Sequence, residues 1–329
     1  MSLSPTYSGA SLQPDSPASS VHSGNVLAVL NHLGTLQFGG EEAAGFLQGQ
    51  LTCDVESLSP ASSTYGAYCS PKGRMLANFL LWRDAAGSFF MAVSRDILSA
   101  VQKRLSMFVL HSKVRIADTA DAWTLIGAAG PQSAAAIGGV FSELPRAPHE
   151  VGHQRAGTAI RLPDGRLILA CAASQTTELL QQIAGPLRAE SSSAWRWLDI
   201  RNGVPLVTAA TQDQFVPQMV NLELLGGVSF TKGCYTGQEI VARTQHLGKV
   251  KRRMFLANVA AEATAGDSLY SGDLGDQASG MIVNAEASPD GGYDVLAVIQ
   301  VASRESATVH LKSTDGPELR FLPLPYPVA

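Results

Sequence analysis

The order of strand-like and helix-like segments constrains the fold of this chain more than any single motif does. Between residues 25 and 202, short runs rich in aromatic and β-branched residues alternate with amphipathic segments such as 95–110, whose apolar residues recur at helical spacing. From Lys251 onward, short alternating runs separated by Gly, Asp and Ser are typical of a small antiparallel barrel or sandwich. This order predicts an α+β protein with sheets covered on one face, rather than a doubly wound parallel sheet, and a C-terminal antiparallel β-barrel.

Changes in this pattern divide the chain into four parts. With 329 residues, of which 45% are hydrophobic, the chain can form more than one core. Residues 1–24 are rich in Ser, Pro and Gly and lack a basic start and an apolar centre, which predicts a flexible leader. We expect a first α+β part over 25–120, a second over 121–248 and the barrel over 249–329.

Charge and cysteine content narrow the possible functions. The formal net charge of −4 gives no general attraction to nucleic acid or to an anionic membrane, so we expect neither as a direct partner. The cysteines show no metal-ligand spacing, which predicts reduced thiols, no metal site and a cytoplasmic location. They are Cys53, Cys69, Cys171 and Cys234.

The sequence FTKGCYTGQEI at residues 230–240 is the strongest candidate for a functional segment. It places Cys234 between two glycines, which favour a tight turn because glycine adopts positive φ without steric cost. Good helix formers follow the second glycine. We therefore expect a strand that ends at Phe230 and a helix that begins near Thr236.

A thiol in this position is expected to be reactive. The unpaired N–H groups of a helix N-terminus, together with Lys232 and Arg243, favour the thiolate of Cys234 and so lower its pKa. The alternative is a cysteine that only fills an apolar core, which is typical of isolated cysteines in featureless surroundings. The flanking glycines and lysine favour the functional interpretation.

Two neighbouring segments are candidates for ligand contacts. Trp195 and Trp197 lie two residues apart on a predicted helix and so cannot share one face. We expect one to be in the core and the other to be partly exposed. An exposed tryptophan could stack on a ligand, but core packing is favoured. The connection 208–227 has no clear periodicity, and connections of this length are often binding loops.

The motifs in this region resemble a known family. Phe215-Val-Pro-Gln-x-x-Asn221, followed by the run from Gly226 to Glu239, resembles the YgfZ-type folate-binding proteins, which include mitochondrial relatives in iron–sulfur assembly. Those proteins are similar to the T-protein of the glycine cleavage system, a tetrahydrofolate-dependent aminomethyltransferase. The KGCYxGQE run matches at every fixed position, and the wider resemblance covers nearly all of the chain after the leader.

The resemblance implies both a fold and a function. It implies two α+β parts and a terminal barrel around a central channel that binds tetrahydrofolate or another reduced folate. It also implies a role in the maintenance of iron–sulfur enzymes, including ones that modify tRNA, so the implied partners are folate and iron–sulfur client proteins. In the signature, Cys234 and Lys232 are implied as the catalytic residues, with Cys234 facing the pterin cavity. The implied folate-binding residues of the signature region are Tyr235, Gln238, Glu239 and Arg243.

Two positions depart from the aminomethyltransferases. Asn78 stands where those enzymes place an aspartate, and an amide cannot hold a proton as a carboxylate can. Arg201 stands where they have a glutamate, and a guanidinium offers only donors to the pterin N–H groups. An acceptor would have to come from Asp199 or Glu223. We therefore include Asn78, Asp199 and Arg201 among the folate contacts and do not expect aminomethyltransferase activity.

Three functions remain open at this point. The favoured one is a tetrahydrofolate-binding accessory protein for iron–sulfur cluster assembly or repair, with Cys234 as its key thiol. The second is a true aminomethyltransferase of the glycine cleavage system. The third is a non-catalytic module that binds RNA or protein through the basic run Lys249–Arg253.

Overall fold

The computed structural model describes residues 24–183, 185–246 and 250–328, which form three β-sheets with helices packed on them. Apart from Gly24, the predicted leader lies outside these residues, as does Lys249, the first residue of the basic run. The strands and helices alternate through the first two sheets, and the third sheet is formed near the C-terminus.

The strands within the described residues are β1 (Val26–Val29), β2 (Leu33–Gly39), β3 (Ser63–Cys69), β4 (Met75–Arg83), β5 (Phe89–Ser94), β6 (Arg115–Asp118), β7 (Trp123–Ala129), β8 (Val151–Gln154), β9 (Gly157–Arg161), β10 (Leu167–Ala172), β11 (Arg188–Glu190), β12 (Arg252–Val259), β13 (Ser268–Ser271), β14 (Ala278–Ala287), β15 (Tyr293–Gln300), β16 (Val309–Leu311) and β17 (Leu319–Leu322). The α-helices are α1 (Ala43–Gln50), α2 (Arg95–Ser106), α3 (Ser133–Gly138), α4 (Thr176–Ile183), α5 (Ser192–Arg201), α6 (Gln238–His246) and α7 (Val301–Ser306). A short 3-10 helix spans Pro217–Val220.

The first sheet is antiparallel, in the order β3-β4-β5-β2-β6, and α2 packs against it. The helix buries its apolar residues at helical spacing, as predicted. It ends at Ser106, however, and not at Leu110. The chain must reverse there to enter β6, and Leu110 adopts a positive φ of 44° in the turns that follow the helix. The last predicted apolar positions are therefore outside the core.

The second sheet has the order β11-β1-β7-β10-β9-β8. Its only parallel pair among the described residues is β1 with β11, and its other pairs are antiparallel. The mixed α+β class is confirmed and the doubly wound alternative is excluded. The first strand of the chain thus pairs with strands far along the sequence, and the domain boundaries at residues 120 and 248 stay a prediction.

The third sheet is antiparallel, in the order β16-β13-β14-β15-β12-β17. Its two edge strands approach one another, because His310 in β16 forms an isolated bridge with Glu318, the residue before β17. The sheet is therefore curled into a half-barrel, which confirms the predicted C-terminal β structure. In the described ranges, no helix combines the length and the apolar character needed to cross a membrane.

Helix α5 lies between the second and third sheets, in contact with β1, β14 and β15. Trp195 packs against β7 at Gly127, where a Cβ atom would lie 2.3 Å from the indole ring, so only glycine fits there. Trp197 donates its indole N–H to Asp294 of β15 at 2.9 Å. Both tryptophans are buried, so the prediction that one is exposed is wrong. The reason is that both faces of α5 are covered.

Candidate functional site

A cavity between the first two sheets is the central candidate site. Its walls come from β3, β4, β10 and α5, together with the segments 204–206 and 222–225. Tyr65, Phe79, Asn78, Trp195 and Asp199 supply the polar and aromatic groups, and the remaining lining is mostly aliphatic. The cavity has a volume of about 60 Å³. Two residues expected at the folate site, Asn78 and Asp199, therefore lie in one place.

Asn78 uses both ends of its amide to hold the cavity wall. Its Nδ2 donates to the carbonyl of Pro205 at 2.7 Å, and its Oδ1 accepts from the N–H of Val207 at 2.7 Å. Asn284 of β14 holds the residue between them, because Leu206 donates to its Oδ1 and accepts from its Nδ2, each at 2.9 Å. Asn78 is buried, so this pairing satisfies groups that water cannot reach.

Asp199 faces a buried guanidinium at the cavity wall. Arg166 donates from Nη2 to Asp199 at 2.7 Å and from Nε to Asp164 at 2.6 Å, and its guanidinium lies 4.4 Å from the ring centroid of Trp195. Burial raises the pKa of Asp199 to about 6, although the Arg166 charge opposes the rise. The Nη1 of Arg166 is buried and has no partner among the described residues. Asp199 is therefore a hydrogen-bond acceptor whose charge is sensitive to pH.

Arg201 lies outside this cavity. It occupies the last turn of α5, with its guanidinium 5.9 Å from the ring centroid of Trp197 and 3.5 Å from the Asp294 carboxylate. It thus faces the third sheet. Glu223, the other acceptor considered from the sequence, is paired with Arg253 of β12. Of the two acceptors considered, only Asp199 lines the cavity.

The segment before the signature is not a strand. Residues 228–230 form no ladder in the structure, and the helix begins at Gln238, two residues after the predicted start. The predicted strand ending at Phe230 is therefore wrong. The Ser229 N–H donates to the Thr52 carbonyl, but no strand of the described residues pairs with this segment. Gly237 has a φ of 82° and sits against Ser70 and Gly73, as a turn glycine should.

Lys232 anchors the signature loop to the C-terminal end of α1. Its ammonium group donates to the carbonyls of Gln48, Leu51 and Cys53, the last two at 2.7 and 3.1 Å. A cation at a helix C-terminus is favourable because the carbonyls there lack intrahelical partners. Burial lowers the pKa of Lys232. The geometry thus gives this lysine a role in fixing the loop.

The remaining signature residues separate into buried and exposed groups. Tyr235 is buried, and its ring lies 5.0 Å from the Lys232 ammonium. The backbone N–H of Tyr235 donates to Gln238 Oε1 at 3.2 Å, a bond that satisfies a donor ahead of the helix. Cys234 is exposed and is not among the residues that line the cavity. Glu239 and Arg243 are exposed on the surface of α6.

The structure therefore forms two separate groups of candidate residues. Asn78 and Asp199 line the cavity, whereas the signature residues lie in the loop before α6 and in α6 itself. Across the described residues, no three His, Cys, Asp or Glu side chains could hold a metal ion.

Sequence reasoning missed Arg166 and Asn284. Arg166 is paired with Asp199, 33 residues away, and Asn284 contacts Leu206 across 78 residues. The one local signal was Asp164, which precedes Arg166 by two residues in the hairpin turn and fixes its side chain. For Asn284 no local signal exists, since an asparagine in a strand gives no sign of its distant partner.

Comparison with known proteins places these observations in a family. Residues 16–178 match the GCVT N-terminal domain family. The chain is 35% identical over 295 residues to the tRNA-modifying protein YgfZ of Yersinia pseudotuberculosis serotype O:1b (strain IP 31758), covering 88% of this chain and 89% of the relative. It is 33% identical over 321 residues to the tRNA-modifying protein YgfZ of Sodalis glossinidius (strain morsitans), covering 96% and 97%.

A solved structure shows the same fold. The glycine cleavage system aminomethyltransferase T from Bartonella henselae matches with a TM-score of 0.75 over 93% of this chain and 88% of that chain. The two sequences are 17% identical, so the match concerns the fold alone. The extent and level of identity to the curated relatives are what assign the family. The chain belongs to the YgfZ family and has the fold of the glycine cleavage aminomethyltransferases.

Proposed function

We propose that this protein binds a reduced folate and supports iron–sulfur enzymes, including enzymes that modify tRNA. The observation that carries the proposal is the cavity lined by Asn78, Trp195 and Asp199. A pterin presents a flat ring and several N–H donors, so it requires apolar or aromatic walls and at least one acceptor. Asp199 supplies the acceptor, and the aliphatic side chains and Trp195 supply the walls. The relatives from Yersinia pseudotuberculosis and Sodalis glossinidius are named tRNA-modifying proteins, which supports the link to tRNA modification.

The cavity is small, so a folate could enter it only if one of its walls moved. Its volume of about 60 Å³ is well below the ~300–1,000 Å³ of most ligand sites. Residues 205–207 cannot yield easily, because Asn78 and Asn284 hold them through paired amide bonds. The other wall, 222–225, includes the half-buried Leu225. We propose that this wall moves when a folate binds.

A reduced folate, when bound, supplies nitrogen atoms that can carry a one-carbon group. In this chain Asn78 holds no titratable proton, and both ends of its amide are engaged with the backbone. Its position therefore serves the shape of the cavity rather than proton transfer. This favours an accessory role over aminomethyl transfer, which we expect to be absent in a direct assay with a lipoyl-bound aminomethyl donor.

The exposed thiol of Cys234 is the part of the signature that a partner protein can reach. Lys232 fixes its loop to α1, so the thiol is presented from an anchored segment. We propose that Cys234 acts on iron–sulfur client proteins at this surface, and that Lys232 contributes by holding the loop. The cysteines of the described residues are free, which agrees with a reducing compartment such as the cytoplasm.

Thermal unfolding with saturating tetrahydrofolate tests the cavity. A ligand of the native state at about 100 times its Kd stabilises it by about 2.7 kcal/mol, so the wild type should unfold at a higher temperature. Asp199→Ala should lose the shift. Arg201→Ala, which lies on the same helix outside the cavity, should keep it. An unshifted wild type, or equal shifts in both variants, would contradict this site.

Complementation of a deletion strain tests the thiol. Cys234→Ser preserves the size of an exposed side chain, so the fold should persist while the activity of tRNA-modifying iron–sulfur enzymes is lost. The tetrahydrofolate-induced thermal shift of this variant should equal that of the wild type. Full rescue by Cys234→Ser would show that the thiol is not required.

A further inference from the structure

The turn after α2 presents an unusual concentration of exposed apolar side chains. Four large hydrophobic side chains are exposed among the described residues, and three of them are in this turn: Met107 at 58%, Phe108 at 43% and Leu110 at 83%. Single exposed apolar residues need no explanation, but neighbouring ones often mark interaction sites. Nothing in the described part of the chain covers them.

A groove of about 290 Å³ lies beside this turn. Its lining includes the buried Tyr68 and Val101 and the half-buried Leu76, and Met107 continues the apolar surface outward. Lys103 and Arg104 supply positive charge at the same groove. We call this feature the α2 groove. It can accept one or two apolar side chains that are flanked by negative charge.

Arg104 carries a donor that the chain itself leaves unused. Its side chain bonds to Tyr68, yet its Nε is buried and has no acceptor within the described residues. Lys103 is exposed, and none of the ion pairs found in the described ranges involves it. A buried unpaired donor is costly, so a carboxylate at this position would be stabilised by charge-assisted hydrogen bonds.

The α2 groove is linked to the signature loop by two short series of residue contacts. Tyr68 at the groove pairs with Leu51, and the carbonyl of Leu51 accepts a hydrogen bond from Lys232. On the other side, Gln212 in the groove donates to the Leu76 carbonyl, and the adjacent Asp213 accepts from Ser70 in the turn that packs on Gly237. A molecule in the groove would therefore contact residues whose neighbours support the loop that presents Cys234.

We propose that the α2 groove docks an extended, acidic and apolar segment of a client protein and so brings that protein to Cys234. Two features of this surface favour a protein segment: the unpaired cations complement carboxylates, and the exposed Met, Phe and Leu side chains complement apolar ones. A nucleic acid would instead require many cations along its backbone. The inference rests on the proposed function for the identity of the partner as an iron–sulfur client.

Fluorescence anisotropy with a labelled peptide tests the groove. The peptide is Gly-Asp-Glu-Leu-Glu-Asp-Phe-Glu-Gly, and the protein is the full chain. The wild type should bind it, and Lys103→Glu should weaken binding about tenfold or more, as should the double variant Phe108→Ser, Leu110→Ser. Arg320→Glu in β17 is a matched exposed control for the charge reversal, and it should bind like the wild type. A peptide with serines in place of its Leu and Phe should bind about tenfold more weakly.

Three outcomes would overturn the inference. The first is that the wild type does not bind the acidic peptide. The second is that the groove variants bind it as well as the control variant does. The third is tight binding of tRNA by the wild type that the same groove substitutions abolish. Thermal shifts with tetrahydrofolate in each variant separate this proposal from the folate proposal. If peptide binding behaves as expected while the wild type shows no folate shift, the groove stands and the folate site fails. If the folate shift is present and the peptide results are negative, the reverse holds.

Discussion

The Asn78→Asp substitution introduces the carboxylate that the aminomethyltransferases have at this position. In this protein, each end of the Asn78 amide makes a hydrogen bond. Asn78 is buried, donates to the Pro205 carbonyl and accepts from the Val207 N–H. A protonated carboxyl can reproduce both bonds, since its O–H donates and its C=O accepts. An ionised one cannot, because it places a negative oxygen against the Pro205 carbonyl. We therefore expect the Asn78→Asp variant to fold well only when the new carboxyl is protonated.

The size of the effect follows from the expected pKa. Burial in the same cavity raises the pKa of Asp199 to about 6, even with Arg166 beside it. If burial raises the pKa of the introduced carboxyl to a similar extent, against about 3.9 in the unfolded chain, the loss is on the order of 3 kcal/mol at pH 7, roughly 1–2 kcal/mol at pH 5 and less than about 1 kcal/mol at pH 4. Because the pKa is raised in the folded state, folding favours the protonated carboxyl, and its ionisation destabilises the fold. The loss therefore grows as the pH rises.

Urea unfolding of wild type and Asn78→Asp at these three pH values measures the difference directly. Subtracting the wild-type value at each pH removes the contribution of titrating groups that do not interact with residue 78. Asn78→Ala serves as the control, because it removes both hydrogen bonds without adding a charge, so its loss should not depend on pH. A constant loss for Asn78→Asp, or none, would refute the account of this site. So would a gain of aminomethyltransferase activity at pH 7.

Three further outcomes follow from the geometry. Lys232→Met leaves three carbonyls at the end of α1 without their donor, so urea unfolding should show that the free energy of unfolding falls by about 2–3 kcal/mol. Lys232→Arg should lose less stability. A loss near zero for Lys232→Met would contradict the anchoring role. If ionised Asp199 accepts hydrogen bonds from the pterin, its pKa of about 6 means that it is mostly protonated at pH 5, so tetrahydrofolate should bind about tenfold more weakly at pH 5 than at pH 7. The affinity of Asp199→Asn should not show this pH dependence. A thiol reagent should modify Cys234 alone in the native protein, because the other described cysteines are buried; protection of Cys234 would contradict its exposure.

The fold was largely predictable because it depends on local patterns. Segments with period-2 or helical apolar spacing became strands and helices, and the C-terminal run of short strands became a curled antiparallel sheet. The predictions were wrong where tertiary contacts determine the local structure or the burial of a side chain. Residues before Phe230 have strand-like composition but no neighbouring strand, and α5 is covered on two faces, which buries both Trp195 and Trp197.

The structure brings together only part of the predicted site, and the functional roles of its residues stay predictions. The resemblance selected Asn78, and the missing acceptor at Arg201 led to Asp199 or Glu223; of these residues, Asn78 and Asp199 line one cavity. It could not indicate that Lys232 reaches α1, because that contact joins residues 179 to 184 positions apart. Nor could it indicate that Arg166 holds Asp199, or that Cys234 lies on the surface. These features depend on how the sheets assemble, which no local spacing encodes.

The most direct test of the central claim is a crystal structure of the protein with tetrahydrofolate. The account predicts that the pterin lies between the first two sheets, with its N–H groups donating to Asp199 and its ring against Trp195, and that the segment 222–225 is displaced outward. A pterin bound elsewhere on the protein, with this cavity still closed and Asp199 bonded only to Arg166, would contradict it.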